Sequence, residues 1–268
     1  MPRRHHSSRR QLLIGPAVLA AAVGVCAAID AWLSARVSAG TDTAQQLAPL
    51  YPYIGVDRTY VLARALGMTA LLTSALAVAV GLTVAGRRQA LSGTDWLRPL
   101  HRTLSLLTIA LAAAHATVPY AGVFPPFGGW ATATVPFAQP YSWGTTAEWA
   151  ESAGIIAWYV MVLLGPSYYV ARRWRRGWAV AHRLALATYV LAVAHTLLLG
   201  SDFLVSGGLR TALIGAQVPL LALLGWRGRH RPAVAAGTWV LAVTAGALTV
   251  AGILGMGLGG FPLHGAAG

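Results

Sequence analysis

Apolar residues fill seven long segments of this chain, and charged residues collect between them. The segments run over 11–35, 59–86, 97–120, 148–171, 178–200, 209–226 and 233–258. Each has roughly the 20 residues that a helix needs to cross the apolar core of a bilayer. None shows the alternating polarity of a barrel strand. The pattern therefore predicts an all-α, polytopic membrane bundle of six to seven helices over residues 11–258, with short tails at 1–10 and 259–268.

The composition points to the same class of protein. Hydrophobic residues make up 56% of the 268 positions and charged residues only 10%, against roughly 25% charged residues in soluble domains. A soluble fold of this length has too little interior to cover so much apolar surface, so the lipid bilayer is the expected partner. The first apolar run, from Leu12 to Leu33, is longer than the core of a cleaved signal peptide, and we expect it to be retained as a helix.

The charge is strongly positive but confined to short clusters. All 20 basic residues are arginines, and the net charge is +13. Nucleic-acid binding is not expected, because no stretch of the chain resembles a nucleic-acid reading module. The arginines instead cluster in every second connection, at 3–10, 87–98, 172–176 and 227–231. Because basic loops stay cytoplasmic, we expect a multi-pass protein of the cell membrane whose N-terminus is cytoplasmic and whose C-terminus is outside. Helices 3 and 5 then both run outward.

Four of the eight histidines lie inside predicted membrane helices. His101 and His115 form an H-x13-H pair in the third segment, and His182 and His195 form an H-x12-H pair in the fifth. Each spacing covers about 20 Å along a helix axis. Since the two helices run the same way, His101 lies level with His182, and His115 with His195. Two facing imidazoles at each of two heights are what two six-coordinate b-type haems need, and the cost of ionisable groups in a membrane favours a functional role.

The alternative is that these histidines are structural and hydrogen-bond between helices, as in a transporter or a scaffold. A metal ion held by protein ligands alone is not favoured, because helices 3 and 5 contain no acid and Cys26 is the only cysteine. The other histidines, His5, His6, His230 and His264, are expected to be solvated.

One angle in the fifth segment does not fit an ideal helix. Thirteen residues turn His195 about 140° away from His182. A π-bulge, a kink or offset haem positions are needed for both rings to face the same side.

Three arginines are candidates for binding the acidic groups of a cofactor. Arg102 and Arg183 each follow an inner histidine, where haem propionates need cations, although both also suit a basic membrane anchor. Arg64 lies near the outer end of the second segment, where an unpaired charge is expensive. It is expected to hold an outer-haem propionate or an acceptor anion, or else to snorkel to the outer interface. Asp30 is a possible ion-pair partner for Arg64 or Arg36.

The four-histidine spacing resembles that of the ferric reductase-like transmembrane domain. This superfamily includes ferric reductases, NADPH oxidases and the haem-binding membrane subunit of the bacterial methionine sulfoxide reductase system. The resemblance covers roughly residues 59–226. The loop Phe124–Tyr141 and the segment Arg172–His195 look most like the bacterial members.

The resemblance implies a ligand set and an activity. His101 and His182, the inner pair, would ligate the iron of one haem b, and His115 and His195, the outer pair, that of a second. The implied function is transmembrane electron transfer from a cytoplasmic-side donor to an outside acceptor. The alternative within the same superfamily is a haem-binding membrane subunit that passes electrons to a partner reductase.

Ferric reductases and NADPH oxidases carry a flavin and nicotinamide domain after their last helix. Here no glycine-rich dinucleotide motif follows a strand before Gly268. We therefore expect no flavin or NAD(P) site in this chain, and an oxidoreductase component that needs a separate donor, either a flavoprotein or a quinol.

The purified protein alone is expected to oxidise no NADPH, because this sequence offers no site that could take up its hydride. The measurement is the loss of NADPH absorbance over time in the presence of an artificial electron acceptor. Turnover without any partner protein would contradict this expectation.

Overall fold

The protein is built from helices. The structure, a computed structural model, describes residues 5–43, 45, 57–86, 96–122, 134–138, 146–170, 182–205 and 207–230. The helices of these residues are α1 His5–Ser38, α2 Arg58–Gly86, α3 Leu97–Gly122, α4 Thr146–Val170, α5 Leu184–Leu199, α6 Ser201–Val205, α7 Gly207–Gly215 and α8 Gln217–His230. No strand occurs in this described part of the chain, and the predicted all-α bundle is confirmed.

Three helical stretches of the described chain are long and apolar enough to cross a bilayer. They are Leu13–Ser38, Arg58–Val84 and Gly207–Trp226. Large apolar side chains on them point away from the bundle, and Leu13 and Leu72 are each more than half exposed. Such a surface is unfavourable in water and favourable in lipid. The chain is therefore a membrane protein.

The helix of the fifth predicted segment begins later than His182. α5 starts at Leu184, so His182 and Arg183 lie in a turn ahead of it, and the prediction that His182 is helical was wrong. In this turn the backbone N–H of Ala185 donates to the carbonyl of His182, three residues back. Such winding rotates the chain more per residue than an α-helix. Each residue wound in this way adds about 20° to the rotation of an α-helix, so the turn reduces the angular mismatch between His182 and His195.

The sixth predicted segment, 209–226, is divided into α7 and α8. α7 ends at Gly215, four residues before Pro219. Proline has no N–H to donate to the carbonyl four residues back, and its ring crowds that carbonyl. The series of main-chain hydrogen bonds along the helix is therefore interrupted at Ala216. The two helices together still have the length of a membrane span.

α2 lies at the centre of the described bundle. It packs against α1, α3, α5 and α8, and α4 packs against α3 and α5. Leu33 of α1 is buried against Val61 and Ala65 of α2, and Leu71 of α2 is buried against Tyr189 of α5. This packing places α3 and α5 against the same central helix. The candidate histidines lie on these two helices or, for His182, in the turn just before α5.

A polar cap fixes the start of α2. The carboxylate of Asp57 accepts hydrogen bonds from the backbone N–H of Thr59 at 2.6 Å and from its hydroxyl at 2.7 Å. Both bonds favour the charged carboxylate and lower the pKa of Asp57. The next residue, Arg58, forms a two-pronged ion pair with Asp30 of α1. The partner of Asp30 is therefore Arg58, where the sequence had suggested Arg64 or Arg36.

Several predicted features lie outside the described residues. They are the seventh segment at 233–258, the tail at 259–268, the arginine clusters at 87–88 and 172–176, and most of the loop Phe124–Tyr141. From His5 onward the predicted N-terminal tail is part of α1. The orientation of the two termini stays a prediction.

Candidate functional site

The four candidate histidines meet in two pairs. The ring centroids of His101 and His182 are 5.9 Å apart, with an angle of 87° between the ring planes. Those of His115 and His195 are 6.3 Å apart, with an angle of 80°. These are the inner and outer pairs expected from the sequence. The pairing requires α3 and the 182–199 stretch to run in the same direction, as the arginine pattern predicted.

The separation within each pair suits a metal atom between the rings. Two nitrogen–metal bonds of about 2 Å, with about 1 Å more from each nitrogen to its ring centre, put two ligated centroids about 6 Å apart. A direct hydrogen bond between the rings would bring the centroids to about 5 Å. Each pair therefore has the spacing of two axial ligands, one on each side of a haem.

Three of the four imidazoles are fixed through Nδ1 to a main-chain carbonyl of a neighbouring helix. The bonds join His101 to Ala77 (2.8 Å), His115 to Ala63 (2.7 Å) and His195 to Ala150 (2.8 Å). A carbonyl oxygen can only accept a hydrogen bond, so Nδ1 is the atom that carries the proton. In a neutral imidazole Nε2 then has a free lone pair, which is the form that binds iron. The three bonds therefore select the ligating tautomer.

The carbonyl acceptors belong to a repeated sequence pattern. Each acceptor alanine is followed four residues later by a glycine, in the pairs Ala63–Gly67, Ala77–Gly81 and Ala150–Gly154. The two copies on α2 are fourteen residues apart, the same spacing as that between His101 and His115 on the antiparallel helix α3. Equal spacings allow both bonds to form at once. The pattern A-x-[AS]-x-G is visible in the sequence. It is a weak signal by itself, because glycine is common in membrane helices.

The facing histidine pairs have the ligand chemistry that a haem would need from the protein. Within the described part of the chain, no group of three or more His, Cys, Asp or Glu side chains could hold a metal ion. A histidine pair is too small a ligand set for a structural zinc site, which needs four protein ligands. A haem brings its own ring nitrogens and takes only axial ligands from the protein. Two facing imidazoles are sufficient for that.

Arg102 and Arg183 each follow a residue of the inner pair, and both side chains are exposed. They lie at the end of the bundle that carries the inner pair, as the sequence predicted. Their role as cations for haem propionates stays a prediction.

Arg64 lies at the centre of a buried ion cluster. Its Nη1 and Nη2 donate to the carboxylate of Asp42, both at 2.9 Å, and its Nε and Nη2 donate to that of Asp202 at 3.0 and 2.6 Å. The hydroxyl of Thr43 donates to Asp202 at 2.9 Å. Arg36 approaches Asp202 at 3.6 Å. Two guanidinium and two carboxylate groups leave this ion cluster with no net formal charge.

The ion cluster accounts for the charge of Arg64 at membrane depth. The Arg64 side chain is only 7% exposed, so it does not snorkel to the interface. The two carboxylates accept four of its five N–H bonds, which leaves little capacity for an outer-haem propionate, and that role stays a prediction. Arg64 follows Ala63, the acceptor of His115, and Asp202 lies seven residues beyond His195. The ion cluster therefore joins the elements that carry the outer pair.

The comparison with known families agrees with the histidine geometry. Residues 65–193 match the family model described as "Ferric reductase like transmembrane component". The resemblance expected from the histidine spacing is confirmed, over a shorter stretch than the predicted 59–226. The matched stretch contains His101, His115 and His182 and ends two residues before His195. No curated protein and no solved structure matches the chain.

Replacement of Arg64 by alanine is expected to destabilise the protein by about 3–5 kcal/mol, because it leaves buried carboxylates without their counter-ion. The matched control is Arg58→Ala, which also breaks an ion pair between helices. The Arg58 side chain is 64% exposed, and exposed pairs contribute little to stability. Thermal unfolding in one detergent should therefore fall much further for Arg64→Ala. Equal shifts in the two variants would contradict the structural role of the ion cluster.

Proposed function

We propose that this chain carries single electrons across the membrane through two b-type haems, one held by the inner pair and one by the outer pair. The observation that supports this most directly is the facing of His101 with His182 and of His115 with His195, at centroid separations of 5.9 and 6.3 Å. The ferric reductase-like character of residues 65–193 supports the same class of activity.

Two levels of ligands suit the thickness of a bilayer. Fourteen residues of α3 separate His101 from His115, which corresponds to about 21 Å along the helix axis. The apolar core of a bilayer is about 30 Å thick. Haems at the two levels would divide the distance across the membrane into shorter electron-transfer steps. A haem at one level would leave most of that distance without a redox centre.

The residues of each level have separate roles. The Nε2 atoms of the facing histidines would bind the iron, and the Nδ1 hydrogen bonds hold the rings of His101, His115 and His195 in place. A bound haem supplies an iron atom that gains and loses one electron. With two imidazoles as its protein ligands, the haem would exchange electrons without binding a reactant at the metal. Arg102 and Arg183 offer cations for the propionates of the inner site.

Structural histidines in a transporter or a scaffold are the alternative of another class. A buried polar side chain normally satisfies each of its hydrogen-bonding atoms. Among the described residues, His101, His115 and His195 are hydrogen-bonded through Nδ1 alone. The second nitrogen of each ring therefore remains available for iron, which favours the haem proposal.

The first test is a haem count and an absorption spectrum of the detergent-purified protein. We expect about two haems per chain by the pyridine haemochrome method and a low-spin b-type spectrum after reduction with dithionite, as bis-histidine ligation requires. His115→Ala is expected to lose the outer haem and keep the inner one. His101→Ala is expected to do the reverse, because each pair holds its own haem.

The control for these variants is His264→Ala, since that histidine is predicted to be solvated. It should keep both haems. A colourless protein from cells with an adequate haem supply would contradict the proposal, and so would two full haem equivalents in both His115→Ala and His101→Ala.

Transfer across the bilayer is tested in sealed vesicles that contain the protein and enclose ferricyanide. A reductant that cannot cross the membrane is added outside, and the loss of ferricyanide colour is followed. The native protein is expected to accelerate this loss. His101→Ala and His115→Ala should each return the rate to that of protein-free vesicles, because both levels are needed. Equal rates for all three proteins would show that the electrons take another path.

A further inference from the structure

Three glycines lie directly against the hydrogen-bonded imidazoles. A Cβ atom added to each would meet a histidine ring: Gly67 the Nδ1 of His115 at 2.7 Å, Gly154 the Nδ1 of His195 at 2.7 Å, and Gly81 the Cε1 of His101 at 2.9 Å. Contacts this short do not occur between real atoms, so the ring would have to move. In each case the ring is held by its own hydrogen bond and is not the free end of a flexible side chain.

The position of each glycine follows from the geometry of a helix. A Cβ atom points toward the N-terminus and covers the turn before it. A side chain four residues after a carbonyl therefore lies over the outer lone pair of that carbonyl. Glycine leaves this lone pair open to an imidazole. In contrast, a Cβ atom on Gly24 or Gly215 would meet nothing within 4 Å, and one on Gly165 would meet the side chain of Ile109 at 2.7 Å and not an imidazole.

We propose that Gly67, Gly81 and Gly154 are positioning residues that hold the axial imidazole planes crossed and thereby set the electronic structure of each haem. The inference rests on the proposed function. The rings of the inner and outer pairs cross at 87° and 80°. An alanine at any of the three positions pushes a ring away from its carbonyl, which breaks the Nδ1 hydrogen bond and releases the ring plane.

The angle between axial imidazole planes has a spectroscopic consequence. Each imidazole interacts with the iron d orbital that lies perpendicular to its own plane. Crossed planes act equally on two such orbitals and leave them close in energy, which gives a ferric low-spin haem a strongly anisotropic EPR signal. Parallel planes act on one orbital only, separate the two energies and give a rhombic signal with a smaller spread. The native protein is therefore expected to show two strongly anisotropic signals.

The three glycines act on different levels. Gly67 and Gly154 contact the two rings of the outer pair, and Gly81 contacts a ring of the inner pair. Alanine at Gly67 or Gly154 should change the outer haem alone, and alanine at Gly81 the inner haem alone. The haem at the other level then reports that the variant is folded.

The experiment compares the haem content and the ferric EPR spectra of the native protein with those of Gly67→Ala, Gly81→Ala and Gly154→Ala. Each signal is assigned to a level by its loss in His101→Ala or His115→Ala. We expect roughly tenfold or greater weakening of haem retention at the affected level, or, where the haem is retained, an EPR signal shifted toward the rhombic form. The matched control is Gly24→Ala in α1, which should behave as the native protein does.

The possible results separate this inference from the proposed function. Native protein with two haems, together with unchanged haem content and EPR signals in all three variants, overturns the inference and leaves the function intact. Changes at the wrong level, loss of both haems from all three variants alike, or the same change in Gly24→Ala also overturn it. Native protein without haem overturns the proposed function, and the inference falls with it.

Discussion

The hydrogen bond from an imidazole Nδ1 to a main-chain carbonyl is the interaction on which the arrangement of this bundle depends. A helix carbonyl already accepts one bond within its helix, and its second lone pair is normally covered by a neighbouring side chain. Where glycine uncovers that lone pair, an imidazole of the next helix can reach it. Two such bonds, to Ala63 and Ala77, set the register of α2 against α3, and a third, to Ala150, sets α4 against α5. Helix packing and the orientation of the three imidazoles are thus fixed by the same contacts.

In the ion cluster around Arg64, polar groups from different segments also satisfy one another, but here the side chains carry full charges. A lone guanidinium at this depth would be expensive, and so would either carboxylate. With Arg36, which approaches Asp202 at 3.6 Å, the two guanidinium and two carboxylate groups have no net formal charge, and the geometry of bidentate pairing orients Arg64, Asp42 and Asp202. The partners come from segments far apart in sequence, since Asp42 precedes α2 and Asp202 lies on α6. The ion cluster therefore holds the ends of α2 and α5 together next to the outer pair, and its role is to keep two helices in place.

The sequence predicted the features that depend on regular repetition. The number of residues between His101 and His115 gives their separation in height, and the arginine pattern gives the direction of the helices, so the pairing followed from both. It did not predict which acids meet Arg64, because Asp42 lies between α1 and α2 and Asp202 lies on the five-residue helix α6, and hydropathy carries little information in such short segments. The turn at His182 was also missed, because an apolar pattern continues through a tighter turn without a change in composition.

The two histidine pairs are built from the same residue type but lie in different local structures. Both rings of the outer pair are bonded to helix carbonyls, from α2 and α4, and His182 of the inner pair lies in the turn that precedes α5. Ring orientation, hydrogen bonding and burial are the means by which a protein adjusts a haem with fixed axial ligands. In the proposed di-haem protein, these local differences give the two bis-histidine sites different surroundings.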